Sequence, residues 1–396
     1  MKKYKLIDLF SGVGGISTGF HWAGFTTVLA NEFDKEIGEA YKANFPDTNT
    51  IIEDVRKIDF IQLMKDLNIK KGEIDVIAGG PPCQGFSMAN RKRIEQDDRN
   101  LLFLEFVRAV KVFQPKCFLI ENVVGMTAEK VAIKSSEKNV VDSMTEFFHD
   151  IGYQISFKSF KAEEHGVPQI RRRVIVIGTR LENKFDDLKY LRIGNLKKEF
   201  LSKEDLSRVK DIQHTLFFDE IDTGIKYPTT VWEAISDLPQ IESGEGEDKM
   251  KYLSKPKNEY QKFLRQNSNA VYNHFCTPHS KDVIERIKLI KQGENFNHLP
   301  IDLQTKSVHS GAFGRLVADS LSPTITTRFD TPSTGRVIHP YLNRTLTVRE
   351  AARIQSFPDD FKFLGSRTSQ GKQVGNAVPP LVAKKIAEMF IRDFLS

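Results

Sequence analysis

Cys83 stands in Gly79-Gly80-Pro81-Pro82-Cys83-Gln84-Gly85-Phe86-Ser87, directly after the apolar run Ile74-Asp75-Val76-Ile77-Ala78. A lone cysteine is usually a small, inert core residue. Two glycines and two prolines before it and Gly85 after it fix the direction of the thiol instead, which suits a nucleophile. Glu121, in Glu121-Asn122-Val123, ends another apolar run, Lys116-Cys117-Phe118-Leu119-Ile120. Burial there should raise its pKa and fit it for proton donation or for hydrogen bonding to a reacting group. A third group is the glycine-rich turn in Leu6-Ile7-Asp8-Leu9-Phe10-Ser11-Gly12-Val13-Gly14-Gly15. Its backbone can approach a nucleotide-like ligand closely, although it lacks the full GxGxxG spacing. Glu32 lies twenty residues beyond Gly12, where a carboxylate can accept ribose hydroxyls, and Asp54 could end a third strand beside an adenine. A nicotinamide-dependent enzyme would share the turn and the acid; the cysteine on the same rim distinguishes the two.

These residues need a frame. Residues 5 to 180 alternate short β-branched runs with longer amphipathic segments, the rhythm of a doubly wound, mostly parallel α/β sheet with crossover helices. The expected strands are 5–10, 26–31, 75–78, 116–120, 153–160 and 174–179, and the expected helices 16–23, 35–44, 101–113 and 136–151. Cys83, Glu121 and the glycine-rich turn then share the carboxyl edge of the sheet, where such folds bind ligands. From about residue 181 the rhythm becomes irregular, which suggests a second, smaller domain over 181–343. Regular sequence returns in 344–396: Thr347-Val348-Arg349-Glu350 fits a capping box, and Pro379-Pro380 opens a helix whose apolar stripe, Leu381, Val382, Ile386, Met389 and Phe390, must join the first core.

The chain has 396 residues and a net charge of +6, modest for a nucleic-acid binder. The charge is unevenly spread: residues 181–248 carry 9 basic and 16 acidic side chains, and 249–343 carry 14 and 7. Only the latter half suits phosphates. Three cysteines without paired spacing, Cys83, Cys117 and Cys276, argue against a disulfide framework, and no apolar stretch has the length of a signal region or membrane span. A cytoplasmic location is the expectation. His274, Cys276 and His279 are close in sequence, but no fourth ligand accompanies them, and no metal site is expected.

The ordered motifs resemble those of the cytosine-C5 DNA methyltransferase family, in its bacterial restriction-modification form. They are Asp8 to Gly15, Asn31-Glu32-Phe33-Asp34, Gly80 to Ser87, Glu121-Asn122-Val123, Gly166-Val167-Pro168-Gln169-Ile170-Arg171-Arg172-Arg173, and Gln373-Val374-Gly375-Asn376-Ala377-Val378-Pro379-Pro380. The resemblance covers 5 to about 180 and about 322 to 393, and makes 181–343 a target-recognition domain beside a catalytic domain over 1–180.

The resemblance implies that the thiolate of Cys83 adds to cytosine C6, that Glu121 hydrogen-bonds N3 and the exocyclic amine, and that Arg173 and Arg171 brace the extruded base. S-adenosylmethionine would be held by Phe10, Gly12, Gly14, Gly15, Glu32, Phe33, Asp54, Val55, Pro82, Leu102, Asn376 and Ala377. Extruding a base costs a few kcal/mol, so duplex DNA must be gripped, by Gln84, Ser87, Arg91, Lys92, Arg93 and Arg99 on a closing loop. Arg328, in Ser322-Pro323-Thr324-Ile325-Thr326-Thr327-Arg328, is an eligible guanine reader. The family also implies a monomer protecting DNA from a cognate endonuclease. The rivals are a tRNA methyltransferase, a catalytically idle DNA-binding module and a nicotinamide oxidoreductase.

Overall fold

The computed structural model describes residues 4–81, 98–123, 140–181, 229–304 and 310–396, the side chains of 98–101, 123 and 140–143 excepted. A seven-stranded sheet organises the first part of the chain. Its strands are β1 (Tyr4–Leu9), β2 (Phe25–Glu32), β3 (Asn49–Ile52), β4 (Val76–Gly79), β5 (Cys117–Val123), β6 (Gln154–Lys161) and β7 (Arg172–Thr179), in the order β3-β2-β1-β4-β5-β7-β6. Between them run α1 (Gly15–Trp22), α2 (Lys35–Asn44), α3 (Phe60–Asp66), α4 (Asp98–Phe113) and α5 (Val140–His149). The α3 helix, capped by Asp59, is one that sequence periodicity does not announce.

Successive side chains of a strand point to opposite faces, and here both faces are covered, so the strands read as continuous apolar runs. Leu6, Val76, Ala78, Cys117 and Leu119 enter one core with α1, while Ile7, Ile77, Phe118 and Ile120 enter the other with α4 and α5.

The sheet is parallel from β3 to β5, but β7 pairs antiparallel with both β5 and β6. The cause is the connection: residues 162–171 hold only a 3-10 turn at Ala162–His165, too short for a parallel crossover, which takes a dozen or more residues. The reversal carries the start of β7, and its arginines, to the rim where β5 ends.

Beyond residue 229 the elements are α6 (Val231–Ile235), β8 (Gly246–Met250), α7 (Glu259–Leu264), β9 (Val271–Phe275), α8 (Lys281–Lys288), β10 (Gly314–Arg315), β11 (Arg336–Ile338), α9 (Val348–Ile354), α10 (Arg367–Asn376) and α11 (Pro380–Phe390). Val231, Ala234, Tyr260, Leu264 and Val271 join the core beneath α1, and a separate small cluster forms around Ile287, Leu299, Phe313 and Ile338. The Thr347 capping box opens α9. The apolar stripe of α11 is buried in the same core as α1, and a Cβ on Gly19 would lie 2.3 Å from the Pro380 carbonyl oxygen. Arg353 on α9 fastens these pieces from inside, meeting Asp237 at 2.5 Å and Asp359 at 2.6 Å with all three side chains fully buried. Among the described residues no helix is long and apolar enough to cross a membrane.

Candidate active site

The glycine-rich turn sits between the end of β1 and the start of α1. Phe10, Gly12 and Gly14 have φ of 54°, 53° and 100°, so the chain turns through the left-handed region, where glycine carries no Cβ penalty. Glu32, the last residue of β2, binds this turn to its own strand. Its Oε2 accepts from the Gly12 amide and its Oε1 from the amides of Phe33 and Asp34, each at 2.9 Å. Three of a carboxylate's roughly four acceptor positions are thereby used, which leaves about one for a ligand. Burial raises the Glu32 pKa, and the three amides oppose that rise.

Around this turn the surface fits a nucleotide-like group. Nothing lies within 4 Å of where a Gly12 Cβ would point, and Phe33 is 73% exposed beside it. Gly15 meets the far end of the chain: a Cβ there would stand 2.2 Å from the Val378 carbonyl oxygen and 3.4 Å from the Ala377 Cβ. Asn376 and Ala377, at the end of α10, therefore lie beside residues 12 to 15. Asp54 follows β3 and caps a short turn, and the guanidinium of Arg56, bonded to it, holds its carboxyl down to about 2. Val55 is buried, and its carbonyl accepts from Arg108 Nη2 at 3.0 Å. Leu102 on α4 is half-buried and packs against the second core.

On β5, Glu121 receives the Arg173 Nε at 2.9 Å, with side chains 14% and 16% exposed. Burial pushes the Glu121 carboxyl above its usual range, and the Arg171 and Arg173 guanidiniums pull it partly back. The chain leaving β4 passes directly over this carboxylate: a Cβ on Gly80 would lie 3.5 Å from its Oε2. Asn122 Nδ2 donates to the Pro81 carbonyl at 3.0 Å. That bond pins the strand exit two residues before Cys83. Pro82, Cys83, Gln84, Ser87, Arg91, Lys92 and Arg93 lie outside the described residues, as does the side chain of Arg99.

Arg171 differs from Arg173. It is 1% exposed, and its Nη1 donates to the carbonyls of Gly375 at 3.1 Å and Ile325 at 3.4 Å, while its Nε has no partner. Arg171 therefore holds neighbouring backbone, while Arg173 meets Glu121. Arg328 is exposed and reaches Thr331 Oγ1 at 3.1 Å. His274 donates through Nε2 to the Pro239 carbonyl at 2.7 Å and meets Thr347 Oγ1 at 2.9 Å through Nδ1, so both of its nitrogens serve the fold.

Two residues that stand within the quoted motifs have roles that the sequence does not show. Asn122 adjoins Glu121 and takes its role from the adjacent strand. Asp8, fully buried under the glycine-rich turn, accepts from Ser17 Oγ at 2.7 Å through Oδ2, while its Oδ1 has no partner. Burial raises its pKa to about 7.

A family model described as the C-5 cytosine-specific DNA methylase matches residues 4–392. The chain belongs to that family. It is a DNA (cytosine-5-)-methyltransferase, and similar methylases are found at full length. The type II methyltransferase M.DdeI of Desulfomicrobium norvegicum is 37% identical over 401 residues, covering 97% of this chain and 87% of the relative. M1.HphI of Haemophilus parahaemolyticus is 34% identical over 388 residues, covering 98% and 86%. Among solved structures, one described as a DNA modification methyltransferase encoded within an E. coli prophage superposes with a TM-score of 0.72 at 28% identity, over 100% of both chains.

Proposed function

We propose that this methylase transfers the methyl group of S-adenosylmethionine to C5 of a cytosine turned out of a specific site in duplex DNA, through a covalent bond from Cys83 to C6. The observation that carries the reading is the meeting of Glu121, Arg173 and the pinned Gly80-Pro81 stem on the same rim as the glycine-rich turn. Asn122 holds the stem that leads to Cys83, and that stem passes beside the carboxylate that would hold the base.

The open space before Gly12, the exposed Phe33 ring and the free end of α10 at Asn376 fit the cofactor, whose sulfonium makes its methyl group transferable. Phe10, Gly12, Gly14, Gly15, Glu32, Phe33, Asp54, Val55, Pro82, Leu102, Asn376 and Ala377 would hold it. Cytosine C5 is a weak nucleophile. Addition of the Cys83 thiolate to C6 would move the ring electrons toward N3 and C5, and Glu121, whose carboxyl burial raises above its usual range, would hydrogen-bond N3 as that charge develops. Arg173 holds the Glu121 carboxyl in place and offers its remaining N–H groups to the base. C5 would then take the methyl group with release of S-adenosylhomocysteine, water or a neighbouring base would accept the C5 proton, and the electron pair of that C–H bond would restore the C5–C6 double bond and expel the Cys83 thiolate.

Gln84, Ser87, Arg91, Lys92, Arg93 and Arg99 would close over the DNA, and Arg328 would reach a base edge. We further propose that the enzyme works as a monomer in the cytoplasm and protects DNA from a cognate endonuclease, the last in keeping with the type II names of its relatives. Duplex DNA containing 5-fluorocytosine should form an adduct stable to denaturation, since fluorine at C5 blocks the last elimination, and Cys83→Ser should form none. Absence of the adduct with the native chain, or bisulfite sequencing that finds no protected cytosine in cells expressing it, refutes the reading.

A further inference from the structure

The segment 322–328 passes between two other pieces of chain. On one side the backbone pairs with the loop before β7: the Ile170 amide donates to Ser322 O at 2.8 Å, the Ser322 amide to Pro168 O at 3.0 Å, and Thr324 Oγ1 to Ile170 O at 2.7 Å. On the other side lies α10, approached so closely that two of its residues must be glycine. A Cβ on Gly371 would lie 2.5 Å from the Thr327 carbonyl oxygen, and one on Gly375 would lie 2.5 Å from the Thr326 carbonyl carbon.

Two fully buried glutamines lock the three pieces together. The Ile325 amide donates to Gln169 Oε1 at 2.8 Å, Gln169 Nε2 to Gln355 Oε1 at 3.0 Å, and Gln355 Nε2 to Val374 O at 2.9 Å. Arg171 Nη1 spans the same joint, from Ile325 O to Gly375 O. Val374 and Gly375 belong to the last turn of α10, whose carbonyls have no partner within the helix. Arg171, bonded also to Ile325 O, and Gln355 at the end of α9, bonded through Gln169 to the Ile325 amide, supply such partners, so the last turn follows segment 322–328 rather than moving alone. Asn376 comes directly after that turn, and Arg328 directly after Thr327.

We propose that Gln169 and Gln355 are positioning residues that couple DNA held at Arg328 to the affinity for cofactor at Asn376. The proposal rests on the assignment of Arg328 and Asn376 given above. Neither glutamine touches a ligand; both transmit, because a buried amide pair has one arrangement that satisfies every donor and acceptor. Coupling of this kind is reciprocal: DNA must tighten the cofactor by the factor with which the cofactor tightens DNA.

The test is calorimetric titration of S-adenosylhomocysteine into the native chain, with and without a short duplex carrying the site mapped by bisulfite sequencing. DNA is expected to tighten binding about tenfold, within the usual range for linked sites. In Gln355→Met and in Gln169→Met, checked for folding by circular dichroism, the factor should fall to about twofold or less, with affinity in the absence of DNA nearly unchanged. Thr324→Val, at an exposed position, keeps the test open if neither buried variant folds, and should lower the factor at least severalfold. A native factor of one, or a folded variant that retains the native factor, overturns the joint alone. A native chain that binds no S-adenosylhomocysteine overturns the functional reading as well.

Discussion

Arg173 reaches Glu121 at 2.9 Å because β7 runs against β5, which pairs Val123 with Arg173 at one end of the ladder and Cys117 with Thr179 at the other. In an all-parallel sheet the start of β7 would lie at the opposite edge, a strand's length from the acid. A single short connection thus decides whether a carboxylate and a guanidinium can share a base.

Glu121→Gln should slow methyl transfer by about 10²- to 10⁴-fold, the usual worth of a placed proton donor, with little change in DNA affinity. Single-turnover transfer of tritiated methyl measures the first, and gel shift the second. A rate within threefold of native would remove Glu121 from the chemistry.

Gly12→Ala and Gly15→Ala should fail in different ways. At Gly12 the new methyl group meets nothing in the protein, so the cost to folding is the left-handed φ of 53°, roughly 1–2 kcal/mol, while cofactor affinity falls about tenfold or more. At Gly15 the methyl group would meet the Val378 carbonyl oxygen at 2.2 Å, and overpacking should cost about 1–3 kcal/mol of stability. Urea denaturation beside cofactor titration separates the two.

Asp8→Asn should stabilise the protein as pH rises. In the unfolded chain Asp8 ionises near its ordinary value, whereas in the folded chain burial holds the proton until about pH 7. Between these values unfolding releases a proton, so the native contribution falls as pH rises, by on the order of 4 kcal/mol in all. Asn, always neutral, still accepts from Ser17 and avoids that loss. The melting temperature of Asp8→Asn minus that of the native chain should grow from pH 4 to 7 and level off above. A constant difference would mean that Asp8 is ionised in the fold.

Arg353→Leu should cost about 3–5 kcal/mol, because it strands Asp237 and Asp359 in the interior with fewer partners. Calorimetry checks this. A loss under 1 kcal/mol would show that Arg265 and Arg349, which also meet these acids, suffice.

Most of the frame was legible because its signals are local. The alternating apolar runs located β1, β2 and β4 to within a residue or two, and the Thr347 capping box and the stripe of α11 can be read over single turns. The antiparallel course of β7 was not legible, since strand direction is set by the length of a connection and leaves no trace in the strand itself. The roles of Gln169, Gln355 and Asn122 were silent for a related reason, although Gln169 and Asn122 stand in quoted motifs: each acts through a backbone group elsewhere in the chain. Among the DNA-contact residues named from the sequence, Arg328 is described with its side chain, on a loop joined to the sheet through residues 168–171.

The closeness of Gly15 to Val378 also bears on synthesis. The backbone that the glycine-rich turn packs against is made more than 360 residues after it. Contacts of such long range form late and slowly. A chain interrupted before residue 378 would carry every strand of the seven-stranded sheet and still lack the backbone against which Gly15 packs.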